Sequence, residues 1–154
     1  MDLSDLIRQD AVIASLKANS KKQVIQELAE RAAVLLDLPA RDIFDHLLQR
    51  ERLGSTGIGQ GVAIPHAKLA TIDTLFGLFA RLDKPVEFEA IDEEPVDLVF
   101  LLLAPEAAGA DHLKALARIA RLMREQGVPQ KLRAARDAAT IYAVLTQTVE
   151  PDAA

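Results

Sequence analysis

The sequence predicts an α/β fold, with strands of a sheet layered between helices. Three observations carry that expectation. Apolar residues recur at helical spacing in two stretches before residue 54 and in another beyond residue 110. Between them, Val96 to Ala104 (VDLVFLLLA) is apolar almost throughout, the pattern of a central strand buried on both faces. The length, 154 residues, suits one compact domain. That domain is expected over 1–154, with a core about 5–148 and a frayed tail at 149–154.

The elements follow in order. Ser20 stands three residues before Gln23, the spacing of a capping box. Val24, Ile25, Leu28, Ala32, Leu35 and Leu36 then form an apolar stripe, and the helix should end by Pro39. A second helix begins near Ala40, buries Ile43, Phe44, Leu47 and Leu48, and stops at Gly54. Val62-Ala63-Ile64 reads as a short strand entering Pro65, and Leu75 to Leu82 as another. Val86 and Phe88 alternate with acids, as in a half-buried strand. Asp92 to Pro95 is a turn before the central strand, and Pro105 to Ala110 is a loop. From Asp111 the helical period returns through Leu113, Leu116, Ile119, Ala120 and Met123. Gly127-Val128-Pro129 breaks it, and short helices are expected at about 130–136 and 138–148.

Composition narrows the function. Half the residues are hydrophobic and only 4% are aromatic, so the core must be mainly aliphatic. A net charge of −5 argues against a nucleic-acid binder. The absence of cysteine excludes disulfides, thiolate catalysis and cysteine-ligated zinc. The N-terminal MDLSDLIRQDAVIAS lacks the basic-then-apolar layout of a signal peptide. The longest apolar run, Leu98 to Ala104, is far too short to span a bilayer. A cytoplasmic protein without membrane insertion is expected.

The most informative stretch is GSTGIGQGVAIPHAKL, residues 54–69. Gly54 and Gly59 have the gap of a P-loop, but Gln60-Gly61 stand where Lys and Ser or Thr are needed. A Rossmann turn needs a strand before the glycines and a helix after them, the reverse of the order predicted here. Two readings remain. Gly57, Gly59 and Gly61, with the Ser55 and Thr56 hydroxyls, can cradle an anion on backbone N–H groups. Alternatively, the segment is a tight turn and nothing more.

The three histidines differ. His46 is mid-helix among Asp42, Asp45, Gln49 and Arg50, and is expected in solvent. His66 follows Pro65, whose fixed φ stiffens the approach, with Arg50, Arg52 and Lys68 nearby in sequence. Neutral imidazole is a good nucleophile near neutral pH. His112 opens a helix whose stripe continues through Leu116, Ile119 and Met123, so it faces inward or toward a cleft edge. A core histidine and a partner of His66 in a phosphate site are both open for it. No H-x-x-x-H or H-E-x-x-H spacing supports a metal, and no G-x-S-x-G elbow supports a serine hydrolase.

From Arg50 to His66 the sequence RERLGSTGIGQGVAIPH closely resembles the active-site signature of the phosphotransferase-system IIA proteins of the fructose–mannitol class. It looks most like their nitrogen-regulatory branch. The segments EFEAIDEEPVDLVFLLLAP and DHLKALARIARLM extend the resemblance over roughly residues 5 to 148. The resemblance implies a mixed five-stranded sheet flanked by helices on both faces. It implies that His66 accepts a phosphoryl group from an HPr-like histidine phosphocarrier, on Nε2, with phosphoenolpyruvate and an enzyme I upstream. Arg50 and His112 match the family's other active-site residues. No cofactor or metal is implied. Three functions stay open: a carrier whose phosphorylation state regulates partners such as potassium transporters or sensor kinases, a sugar-specific IIA passing phosphate to a IIB domain, and an inert anion-binding or partner-binding module.

Overall fold

A computed structural model describes residues 2–147. After a 3-10 turn at Leu3–Asp5 come β1 (Ile7–Leu16), α1 (Lys21–Leu36), α2 (Ala40–Leu53), β2 (Gly57–Gly59), β3 (Val62–Ala63), β4 (His66–Leu69), β5 (Phe76–Val86) and β6 (Val96–Pro105). The described residues close with α3 (Ala110–Arg124), α4 (Val128–Ala134) and α5 (Ala138–Thr146). The fold is α/β with a mixed, open sheet of six strands in the order β1-β5-β6-β3-β2, β4 also pairing with β6.

The expected five strands become six because one of them is interrupted. β3 and β4 lie parallel to β6 in a single register, Ala63 opposite Val99 and His66 opposite Leu102. Pro65 has no N–H to give to a ladder, so pairing lapses there and resumes at His66. The Pro65 carbonyl still accepts from Leu102 N (2.9 Å), which keeps the two pieces in line.

β6 is the central strand its apolar run predicts, with Leu98 to Ala104 fully buried. It runs antiparallel to β5, and β5 runs parallel to β1. α1 packs on α2, while α3, α4 and α5 pack in sequence as a second helical layer. α1 is capped as its sequence asks: the Ser20 hydroxyl accepts from Gln23 N (3.1 Å). The Gln23 side chain returns to Asn19 N (2.8 Å), one residue earlier than a capping box specifies.

Several expectations change. β1 was not predicted, because its pattern is not alternating: Arg8, Gln9 and Asp10 are successively exposed at an irregular register on an edge strand. β2 and β4 were also missed, being short and ladder-dependent. β5 continues past Leu82 to Val86, across a register shift. Phe88 lies beyond it in a loop, fully buried, rather than in a separate strand. The helix from Asp111 does end before Gly127, as expected, but α4 begins at Val128 rather than near 130, with Pro129 in its first turn, where a missing N–H costs nothing. α5 ends at Thr146; the tail expected at 149–154 lies outside the described residues.

Candidate active site

The approach to His66 is anchored at each step. Ile64 N donates to the Thr56 carbonyl (3.0 Å), Pro65 O accepts from Leu102 N, and His66 begins the resumed ladder of β4. The imidazole turns back so that Nδ1 lies 2.8 Å from the Ile64 carbonyl. A carbonyl can only accept, so Nδ1 carries the proton and Nε2 keeps its lone pair. The ring is half-buried. Burial pushes its pKa below the ordinary 6.5; the Ile64 carbonyl opposes that, Arg50 adds to it, and Glu51 opposes it. The result is a neutral, oriented imidazole with one nitrogen available for attack.

His112 meets it from the first turn of α3. The two ring centroids are 5.4 Å apart, with planes tilted by 48°. His112 Nε2 is buried without a hydrogen-bond partner among the described residues. Burial lowers its pKa, and His66 and then Lys68 lower it further. A buried, unpartnered ring nitrogen is costly unless a ligand or water completes it. Arg50, in the last turn of α2, is tethered through Nη1 to the Gly54 carbonyl (2.9 Å), close enough for its charge to be felt at His66. The structure thus brings the two histidines together beside the arginine. His46 is not part of this group; it is half-exposed on α2 with Nδ1 donating to the Asp42 carbonyl (2.8 Å).

The glycines are placed differently from the histidines. Gly59 pairs with Val62 across a two-residue hairpin, and Gln60 and Gly61 both have positive φ (58° and 79°), the geometry of a type I′ turn. The hairpin is seated on the loop before β6. A Cβ at Gly57 would lie 2.7 Å from the Ala90 Cβ, and one at Gly61 would lie 2.5 Å from Arg133 Nη2. Gln60 N donates to Asp92 (2.8 Å), and Arg133 clamps the turn by donating to both the Gln60 carbonyl (2.7 Å) and the Asp97 carboxylate. The hydroxyls are engaged too. Ser55 Oγ donates to the Phe88 carbonyl (2.6 Å) and accepts from Gly57 N (3.0 Å), while Thr56 Oγ1 donates to Glu51.

Glu51 is a residue the sequence reading passed over. Its carboxylate is buried and receives Thr56 N (3.2 Å), the Thr56 hydroxyl and Lys21 Nζ (2.8 Å). It ties the loop before His66 to the start of α1. The one available signal was its position between two arginines at the helix end, which suggests a solvated charge rather than a buried one. Among the described residues no cluster of three or more metal-ligating side chains exists, and no helix is long and apolar enough to cross a membrane.

Both the sequence and the fold have relatives among known proteins. The family model described as phosphoenolpyruvate-dependent sugar phosphotransferase system, EIIA 2 matches residues 5–148. A nitrogen regulatory protein of Bradyrhizobium diazoefficiens is 61% identical over 145 residues, 94% of this chain and 95% of that protein. A fructose-specific EIIA component of Haloferax volcanii is 33% identical over 97% of each chain. The crystal structure of the nitrogen regulatory protein IIA-Ntr of Neisseria meningitidis superposes with a TM-score of 0.88 at 35% identity, covering 94% of this chain and 99% of that one.

Proposed function

The chain belongs to the phosphotransferase-system EIIA type 2 family, and from that premise we propose that it is a phosphohistidine carrier acting on regulatory partners. The observation that carries the reading is the His66 ring, its proton held on Nδ1 by Ile64 O and its Nε2 open beside His112. The Nε2 lone pair attacks the phosphorus of a phosphohistidine on an HPr-like carrier. The new N–P bond forms as the donor's N–P bond breaks, and the donor leaves with the electron pair. The acceptor's Nδ1 proton stays in place, where the Ile64 carbonyl stabilises the positive charge that develops on the ring.

Phosphoryl transfer asks the protein mainly for position and charge. In this reading Arg50, with Nη1 on the Gly54 carbonyl, offers its remaining N–H groups to the phosphoryl oxygens, and the unpartnered His112 Nε2 gains a partner there in its N–H tautomer. The hairpin serves the cradle by holding it. Ser55, Thr56, Gly57, Gly59 and Gly61 use their donors, turns and close contacts to fix the loop between Arg50 and His66. A relay fed by phosphoenolpyruvate places the reaction in the cytoplasm. The high identity to a protein named for nitrogen regulation favours a regulatory output, with potassium transporters or sensor kinases among the partner types. The second reading is a sugar-specific IIA that passes the group to a IIB domain, supported by the similarity to a fructose-specific component.

The test is intact-mass spectrometry after incubation with phosphoenolpyruvate, enzyme I and the phosphocarrier of the same organism. One acid-labile phosphoryl group on the native chain and none on a folded His66→Ala variant is the expected result. No modification by a phosphocarrier known to be active would leave an anion-binding or partner-binding module as the better account. Rapid discharge to a fructose-type or mannitol-type IIB would favour the second reading.

A further inference from the structure

The charges of the chain are segregated. Residues 112–136 carry seven of its 18 lysines and arginines and one of its 23 acids, a local charge of +6 against −11 for the remainder. α3 concentrates the effect. Lys114, Arg118, Arg121 and Arg124 recur at spacings of three and four, so they share one side of the helix. Ala115, Ile119, Leu122 and Met123 are buried on the other. Lys114, Arg121 and Arg124 are exposed and Arg118 is half-exposed. None of the four makes an ion pair among the described residues, although Asp111 lies in the first turn of the helix and Glu125 follows its last residue.

The same face has shape as well as charge. A shallow groove of about 860 Å³ is lined by Ala117, Arg118, Ala120, Arg121, Arg124 and Glu125. The alanines form an apolar floor between arginine walls, and Leu113, 66% exposed, stands on the same helix toward its N-terminal end. From Lys114 to Arg124 the cations span about 15 Å.

We propose that this face of α3 is a docking surface for an acidic segment of another protein, whose carboxylates pair with the arginines while a small apolar side chain seats on Ala117 and Ala120. Unpaired like charges along one helix face repel one another, and an acidic partner relieves that repulsion. Arginine forks match carboxylates in pairs, and the apolar floor supplies the desolvated centre that durable contacts need. A nucleic acid fits less well. The chain as a whole is acidic, with a net charge of −5, and the groove lining holds no aromatic side chain for a base to stack on. An anionic bilayer fits less well too, since Leu113 is the one large exposed apolar side chain on the helix. The proposal does not require His66 to receive a phosphoryl group, so its failure would leave the carrier reading untouched.

The test is a titration of the unmodified protein, at about 0.15 M salt, where charges farther apart than ~8 Å are screened. The probe is a capped, Glu-rich helical peptide, followed by NMR, with a DNA duplex and phosphatidylglycerol vesicles run in parallel. The expected result is saturable peptide binding that shifts the exposed amides of α3 and the methyl signals of Ala117 and Ala120. Arg121→Glu with Arg124→Glu should weaken it at least about tenfold, roughly 1.4 kcal/mol. Lys22→Glu, on another surface, should leave it unchanged. Absent saturation, shifts elsewhere or an indifferent double variant would overturn the proposal. So would tighter binding of DNA or vesicles, or the same shifts appearing on concentrating the protein alone, which would assign the face to a second copy.

Discussion

At the scale of single residues, the site depends on which nitrogen of His66 holds the proton. The Ile64 carbonyl decides that, and burial keeps the ring neutral below the ordinary imidazole range. NMR titration should find His66 and His112 both titrating below 6.5, with the His66 proton on Nδ1 throughout the neutral range. Glu51 opposes part of that depression, so Glu51→Gln should move the His66 pKa further down. Glu51 also carries a structural load, because its loss leaves Lys21 without its short-range partner and Thr56 with two donors unmet. Glu51→Ala should cost roughly 3 kcal/mol in urea unfolding, the range for breaking a buried pair from one side. Removing both partners, as in Glu51→Leu with Lys21→Met, should recover part of it.

At the scale of elements, packing sets the hairpin's glycines. The hydrogens of Gly57 and Gly61 occupy space that a side chain cannot share with Ala90, Asp97 or Arg133. Gly57→Ala should therefore destabilise by about 1–3 kcal/mol through overpacking. Gly61→Ala should do at least as much, since it adds a φ of +79° to a 2.5 Å contact. Chemical denaturation measures both losses, and phosphoryl acceptance by the folded fraction should persist. The longer helices were legible because each buries a stripe at its own period, and α1 also carries its cap in Ser20. β1, β2 and β4 were not, because an irregular edge strand, or a short or interrupted one, takes its shape from the neighbour it pairs with.

At the scale of the whole molecule, two half-buried imidazoles couple the site to stability. Each titrates at 6.5 when unfolded and lower when folded, so below 6.5 the unfolded chain binds more protons. Stability is then full above pH 6.5 and erodes as pH falls through the folded values. The urea midpoint should drop between about pH 7.5 and pH 5.5, and His66→Gln with His112→Gln should flatten that drop. An equal drop in the double variant would place the acid sensitivity elsewhere.

Sequence alone determined the α/β class, the central strand over Val96 to Ala104, the helices that flank the site and the identity of His66, Arg50 and His112 as candidates. Those are local properties: periodicity, caps and a long contiguous motif. Tertiary structure decided what each residue does with its neighbours. Only the packing of α3 against the sheet sets His112 5.4 Å from a histidine 46 positions earlier. Only the loop before β6 clamps the glycine hairpin, and only the start of α1 makes Glu51 a buried partner of Lys21. Spacing along a chain reports what one segment can do by itself, whereas burial and pairing are created by segments far apart in sequence, and a single chain's pattern does not encode their distances.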